Sequence, residues 1–107
     1  MSSPRWDRLA EALHAAGHVV EVHELPRGSV DVVNRANYGA TVRAGDFRVE
    51  IRDTWWPKND AIWTGYQAWL DGPDGLVVRE MPRAPRRADV VAFVTECAQL
   101  WAPAVTR

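Results

Sequence analysis

Hydrophobic residues near the N-terminus recur every three to four positions, the spacing at which side chains share one face of a helix. Trp6, Leu9 and Leu13 belong to this stripe, and charged residues occupy most of the positions between them. The pattern predicts a helix over residues 4–16. Gly17 follows directly, at the position where a residue in the left-handed conformation often ends a helix.

A second helical stripe lies near the C-terminus and predicts a helix over residues 88–102, with Pro103 marking its end. Both helices are amphipathic, so each must bury its apolar stripe against another element. The apolar members of the second stripe are Val90, Phe93, Val94, Cys97, Leu100 and Trp101.

Between the two helices the hydrophobic period changes to two, which is typical of strands with one buried face. The clearest alternation covers residues 47–52, where apolar and charged residues alternate, and it predicts one buried face and one charged face. Ala44 and Gly45 predict a two-residue hairpin turn before this strand. The predicted strands span residues 18–25, 30–35, 38–43, 47–52, 61–70 and 76–81.

These elements predict an α+β fold with an N-terminal helix, an antiparallel meander sheet of five to six strands and a C-terminal helix. Because the sheet is the available partner for both amphipathic helices, we expect both helices to be packed on one sheet face. The other face is then left to solvent or to a partner. A chain of 107 residues fits a single domain, residues 1–107.

The order of helix, sheet and helix resembles that of the double-stranded-RNA-binding domain. That family has three strands in a shorter chain, and its basic loop and lysine-rich helix start have no counterpart in this sequence. No residue roles are therefore carried over from it.

Two segments between the predicted elements have the composition of connections. Residues 53–60 contain Trp55, Trp56 and Pro57, and the proline disfavours a helix before it and cannot donate to a sheet. Residues 81–87, MPRAPRR, predict a linker rich in proline and arginine before the second helix.

Composition and charge narrow the class of protein further. Hydrophobic residues make up 47% of the chain and the net charge is −1, which argues against disorder. The 13 basic and 14 acidic residues are interspersed, whereas binding to duplex DNA normally needs a basic face. No apolar run has the length of a signal peptide or a membrane span, so we expect a cytoplasmic protein without a membrane partner.

Three histidines are the first candidates for site chemistry. His14 and His18 have a spacing of four, and with His23 and a carboxylate from Glu21 or Glu24 they resemble part of a zinc set. Gly17 lies between the first two histidines and should end the helix before His18. A full tetrahedral set is not visible, so no metal and no cofactor are expected.

Catalytic groups are equally sparse. Cys97 lies in a core stripe, whereas a catalytic thiol needs exposure and a lowered pKa. Neither a nucleophile elbow nor a phosphate-binding glycine loop is present. The carboxylates closest to the tryptophan-rich segment are best explained as turn formers, so an enzyme with acidic residues there is the least supported hypothesis. These carboxylates are Asp53, Asp60, Asp71 and Asp74.

Six tryptophans are the most distinctive feature of the composition. Trp6 and Trp101 lie on the helical stripes and are expected in the core. Trp63 and Trp69 are six residues apart in one predicted strand, so they should share a face, which is either the packed face or an open one. Trp55 and Trp56 are adjacent and cannot both point the same way in extended backbone.

The sequence leaves three interpretations of this aromatic cluster open. The first is an ordinary packed core. The second, which is our first hypothesis for function, is a non-catalytic interaction module that binds an unknown protein, or itself as a homodimer, through an aromatic sheet face and the Trp55–Trp56 connection. The candidate contact residues are Arg52, Trp55, Trp56, Lys58, Trp63, Gln67 and Trp69.

The third interpretation is a single-stranded nucleic-acid-binding protein, in which the aromatic face stacks on bases and the basic linker contacts phosphates. A helix N-terminus following the linker would favour an anion there. The candidate phosphate contacts are Arg79, Arg83, Arg86 and Arg87.

Overall fold

The computed structural model describes residues 4–25, 37–56, 59–84 and 86–105. Within these ranges, only the backbone is described for residues 25, 37, 53–56, 59–62, 64, 83–84 and 102–105. The strand predicted for residues 30–35 also lies outside the described residues. Two helices and five strands are present in the described part of the chain. They are α1 (Pro4–Ala15), β1 (Val20–Leu25), β2 (Asn37–Ala44), β3 (Phe47–Trp56), β4 (Asn59–Asp71), β5 (Val77–Ala84) and α2 (Arg87–Val105).

The strands form an antiparallel sheet in the order β1-β2-β3-β4-β5, so each strand pairs with the next one along the chain. Both helices contact the sheet, α1 at β1 and β2 and α2 at β2 to β5. This architecture confirms the predicted α+β fold with a meander sheet.

Register between the central strands brings their apolar residues together in rows. Val49 of β3 lies opposite Val42 of β2 and Leu70 of β4, and all three side chains are buried. The buried stripes of the two helices cover these rows, so the core lies between the helices and one sheet face. The core residues are Trp6, Leu9, Leu13, Ala40, Val42, Val49, Ile51, Tyr66, Ala68, Leu70, Val90, Phe93, Val94, Cys97 and Trp101.

The end of α1 is fixed by the predicted glycine. Gly17 has a φ of 91°, and its N–H donates to the carbonyl of His14 at 2.9 Å. The N–H of His18 donates to the carbonyl of Leu13 at 2.9 Å, which completes a Schellman motif. The chain then enters β1, which begins at Val20 rather than at the predicted residue 18.

Aromatic contacts fasten α1 to β4. The ring of Trp6 meets the ring of Tyr66 edge-on, with 5.3 Å between centroids, and Tyr66 meets Trp63 in the same way at 5.0 Å. The guanidinium carbon of Arg5 lies 3.9 Å from the centroid of the Trp63 ring on the side of the helix. Such aromatic pairs and cation–π contacts add to the free energy of burying the rings.

The prediction that residues 53–60 form a connection is wrong. β3 runs on to Trp56 and β4 begins at Asn59, so Trp55 and Trp56 are strand residues, and the Cα of Trp55 lies opposite that of Trp63. Threonine and tryptophan favour extended backbone, and two register shifts interrupt the regular alternation that identifies a strand in a sequence.

The predicted linker is also mostly regular structure. β5 continues to Ala84 through Pro82, and α2 begins at Arg87. Proline is tolerated in this strand because β5 is at the edge of the sheet, where an N–H on the outer side has no partner strand to meet. At its other end α2 extends through Pro103 to Val105, so the predicted stop at Pro103 is wrong.

A bulge in β4 decides which sheet face each tryptophan occupies. Gly65 lies opposite Thr54 and Trp63 lies opposite Trp55, so β4 has one extra residue at this point, and Gly65 has a φ of 138°. One extra residue reverses the alternation of faces. Trp63 therefore packs against the core on the helix side, whereas Trp69 lies on the opposite face, and the prediction that they share a face is wrong.

We predict that Gly65→Ala lowers the free energy of unfolding by about 1–3 kcal/mol, because a β-carbon is strained at this positive φ. Chemical denaturation followed by circular dichroism measures the change. Gln67→Ala, an exposed substitution two residues away, is the control and should shift the free energy by less than about 0.5 kcal/mol. Equal effects of the two substitutions would show that the conformation of Gly65 is not required.

Candidate functional site

The sheet face turned away from the helices is called here the open face. It is polar, in contrast to the apolar rows on its other side. Its described polar and aromatic residues come from all five strands and include Glu21, His23, Thr41, Arg43, Arg48, Glu50, Arg52, Gln67, Trp69, Asp71 and Glu80.

Glu50 lies at the centre of the open face and is buried there, with 6% of the residue exposed. Its carboxylate accepts a hydrogen bond from Arg52 Nη1 at 2.8 Å. Thr41 Oγ1 lies 3.1 and 3.2 Å from the two carboxylate oxygens, and Arg48 Nε lies 3.1 Å from Oε1. Two guanidiniums and a hydroxyl thus compensate the negative charge that burial would otherwise penalise.

Further contacts extend this arrangement across four strands. Arg48 Nη2 donates to Asp71 Oδ2 on β4 at 3.1 Å. His23 Nε2 on β1 lies 3.2 Å from Thr41 Oγ1 on β2. The N–H at Arg48 Nε is buried and is not aimed at an acceptor among the described residues, so its approach to Glu50 is an ion pair without a hydrogen bond. We refer to these residues as the Glu50 network.

Trp69 borders this network and is half-buried on the open face. Its Cα lies opposite that of Glu50 on one side and that of Glu80 on the other. The guanidinium carbon of Arg52 is 5.5 Å from the centroid of the Trp69 ring, within cation–π range. The hydrogen bond to Glu50 therefore positions the Arg52 guanidinium beside Trp69.

A surface pocket of about 310 Å³ lies between β4 and β5 beside Trp69. It lies where β5 has one residue more than β4 and the register between the two strands is interrupted. The pocket is lined by Gln67, Ala68, Trp69, Glu80, Met81 and Pro82. Apolar walls from Trp69, Met81 and Pro82 thus meet polar groups of Gln67 and Glu80.

The structure brings three of the predicted contact residues together. Arg52, Gln67 and Trp69 lie on the open face around the pocket and the Glu50 network. Trp63 is on the helix side and does not join them. The side chains of Trp55 and Trp56 and the whole of Lys58 lie outside the described residues.

The predicted phosphate contacts do not form one cluster in the described part of the chain. Arg79 is paired with Glu96 of α2 at 3.0 Å. Arg86 and Arg87 are exposed and line a wide cavity of about 550 Å³ with Ala12 and Val91, on the helix side of the molecule. The side chain of Arg83 lies outside the described residues.

The histidines lie apart, each in a different setting. His14 is exposed in the last turn of α1, and His23 belongs to the Glu50 network. His18 Nε2 lies 3.3 Å from Thr95 Oγ1, and burial lowers the pKa of His18 because the charged imidazolium loses hydration. No cluster of three possible metal ligands occurs among the residues that the structure describes.

The remaining candidates for chemistry are held in structural roles. Cys97 is buried in the core, and desolvation raises the pKa of its thiol to about 11, which leaves the thiolate scarce at neutral pH. Asp71 is paired with Arg48. Asp74 Oδ1 accepts the N–H of Leu76 at 3.1 Å within the turn between β4 and β5. The side chains of Asp53 and Asp60 lie outside the described residues.

Glu50 is the residue of this candidate site that the sequence did not single out. The alternation over residues 47–52 predicts a charged, solvated face, and nothing along β3 alone indicates a buried carboxylate. Its burial depends on Thr41 and Trp69, which reach it from neighbouring strands. An arginine two positions away on each side of Glu50 indicates ion pairing along β3 but not burial of the carboxylate.

Neither of the described helices is long and apolar enough to cross a membrane. Comparison of the chain with protein-family models, with curated proteins and with solved structures yields no match. Inferences about function therefore rest on the geometry of the open face.

We predict that Glu50→Ala lowers the free energy of unfolding by about 1–3 kcal/mol, because Arg52 loses its carboxylate partner and Arg48 keeps only Asp71. Glu50→Gln, which keeps the shape but loses the charge, should have a smaller effect of the same sign. Urea denaturation measures both.

Glu96→Ala is the matched control, since it breaks an ion pair whose side chains are 44% and 56% exposed. Its effect should stay below about 0.5 kcal/mol. A Glu50→Ala protein as stable as the Glu96→Ala protein would contradict a structural role for the Glu50 network.

Proposed function

We propose that this chain is a small non-catalytic interaction module that binds another protein through the open face, with Trp69 and Arg52 as its central contacts. The observation that carries this proposal is the position of Trp69 beside the Arg52 guanidinium on the sheet face that the helices leave uncovered. Tryptophan and arginine are the residues most enriched at the energetic centres of protein interfaces.

The Glu50 network supports this proposal by fixing Arg52 in advance. An arginine that is already hydrogen-bonded to Glu50 at 2.8 Å has lost much of its rotamer freedom before a partner arrives. Ordering a long side chain on association normally costs about 0.5–1.5 kcal/mol. A partner that meets Arg52 therefore avoids part of this cost.

The pocket beside Trp69 indicates the kind of side chain that a partner inserts. Its apolar walls accept a hydrocarbon stem, and the Gln67 amide oxygen and the Glu80 carboxylate accept hydrogen bonds at the rim. Lysine and arginine combine such a stem with a donating, positively charged end. A basic side chain on the partner fits this pocket best.

The chemistry of the described polar groups favours binding over catalysis. Glu50 and Asp71 are neutralised by arginines, and the thiol of Cys97 is buried with a raised pKa. A general base or nucleophile needs a free group directed at a substrate. Trp55 and Trp56, which the sequence predicts as contacts, stay part of the proposed contact surface and are tested by substitution below.

Single-stranded nucleic-acid binding remains the weaker proposal. It would use aromatic stacking and phosphate contacts on one continuous surface. Trp69 lies on the open face, whereas Arg86 and Arg87 lie beside the helices, so the described members of the two sets do not share a surface.

The test is an affinity capture from cells that express the chain naturally, with the bound proteins quantified by mass spectrometry. We expect Trp69→Ala to lose, by on the order of tenfold or more, proteins that the unmodified chain enriches over empty resin. A second bait, Trp55→Ala/Trp56→Ala, tests whether these two residues also contribute to binding of the same proteins.

Leu100→Ala is the matched control, because Leu100 is an exposed apolar residue of α2, 46% exposed and away from the open face. It should retain the proteins that Trp69→Ala loses. The proposal is wrong if every enriched protein is retained by Trp69→Ala, or if Leu100→Ala loses the same proteins.

A further inference from the structure

The two edges of the sheet differ in their capacity to accept another strand. β5 contains Pro82, which has no N–H to donate, and its register is interrupted at two points. Prolines and bulges are devices that protect an edge strand from pairing. β1 pairs with β2 residue by residue without an interruption, and no described strand covers its outer edge.

The sequence of β1 is complementary to itself when two copies run antiparallel. If Val22 lies on the two-fold axis, Glu21 of each copy lies opposite His23 of the other. The same register places Val19 opposite Leu25 and Val22 opposite its own copy. A two-fold axis perpendicular to the sheet makes opposite residues share a face, so both Glu–His pairs form on the open face.

This pairing also accounts for an exposed apolar residue. Val19 is 78% exposed, the highest value among the large hydrophobic residues described as exposed. In the proposed register the backbone of the second copy runs beside it, with the Cα of Leu25 directly opposite. Shifting the centre by one residue to His23 would instead place the two His23 side chains opposite each other and Glu21 opposite Leu25, which removes both Glu–His pairs.

We propose that the chain forms a symmetric dimer in which β1 pairs antiparallel with β1 of a second copy, centred on Val22. The two sheets then join into one sheet of ten strands with all four helices on the same side. The two open faces become continuous, which places two copies of the Trp69 site on one surface. This dimer does not depend on the partner-binding function proposed above, since it uses a different edge of the molecule.

The dimer should be of moderate affinity. The β1–β1 pairing involves six or seven residues from each copy and no helix contacts. It therefore buries less area than a standard interface, which buries about 1,600 Å². Sedimentation velocity from micromolar to near-millimolar concentration should show a reversible monomer–dimer equilibrium. A monomer throughout that range would overturn the proposal.

Disulfide trapping tests the register directly. Directly opposite residues have Cα atoms about 4.5–5.5 Å apart, which a disulfide spans, whereas diagonal neighbours at about 7–8 Å are too distant. A mixture of Glu21→Cys and His23→Cys proteins should therefore give a cross-linked dimer on mild oxidation, while neither protein alone should. Cys97 is buried in the core and does not compete.

The control for random collision is a mixture in which a Glu11→Cys protein takes the place of one of the two cysteine variants. Glu11 is exposed on α1. Cross-linking of the Glu21→Cys and His23→Cys mixture no faster than that of mixtures containing Glu11→Cys would overturn the proposal. Circular dichroism of each reduced variant confirms that it is folded before the comparison.

Charge substitution provides a second, independent test. Glu21→Lys places a lysine opposite His23 twice and should raise the dimer dissociation constant on the order of tenfold or more. The double variant Glu21→Lys/His23→Glu places a lysine opposite a glutamate twice in this register and should recover dimerisation. Glu24→Lys carries the same change in net charge but faces Val20, so its effect should be smaller. Equal weakening by Glu21→Lys and Glu24→Lys, or no recovery in the double variant, would overturn the proposed register.

Discussion

The bulge at Gly65 is the constraint that determines which aromatic residues of β4 lie on each face of the sheet. By adding one residue to β4, it turns Trp63 toward the helices while Trp69 stays on the open face. Without it, strict alternation would place both tryptophans on one side. The bulge thus supplies the core with the Trp6–Tyr66–Trp63 contacts and leaves Trp69 on the face that the helices do not cover.

The open face combines rigidity with exposure. Antiparallel sheets often leave one face to solvent, and such a face usually carries independent, hydrated side chains. Here a buried carboxylate connects two arginines, a threonine and, through them, a histidine and a second carboxylate. Charges that neutralise one another in this way are poorly suited to proton transfer. They are well suited to holding Arg52 in place beside Trp69.

Local patterns in the sequence were sufficient to predict the helices and most of the core. The stripe of α1, the Gly17 cap and the buried positions of Trp6 and Trp101 depend on residues within a few positions of one another, and the structure confirms them. The five described strands were predicted for the same reason, although their ends were misplaced by up to four residues at β3 and by three at β5.

The features that could not be predicted from the sequence depend on contacts with neighbouring strands. The extra residue at Gly65 exists only relative to the register with β3, and so the shared face of Trp63 and Trp69 was wrongly predicted. Pro82 was interpreted as part of a linker because its tolerance in β5 follows from the edge position of that strand. The burial of Glu50 likewise arises from side chains on β2 and β4.

The central claim, that the bulge places one tryptophan on the open face and the others described in or against the core, is tested most directly by nuclear magnetic resonance. Indole N–H signals of ¹⁵N-labelled protein would be assigned by single substitutions and then recorded with a soluble paramagnetic agent. The structure predicts strong broadening of the Trp69 signal and protection of the signals from Trp6 and Trp101, which are 0% and 7% exposed. A Trp69 signal as protected as that of Trp6 would contradict this account of the sheet.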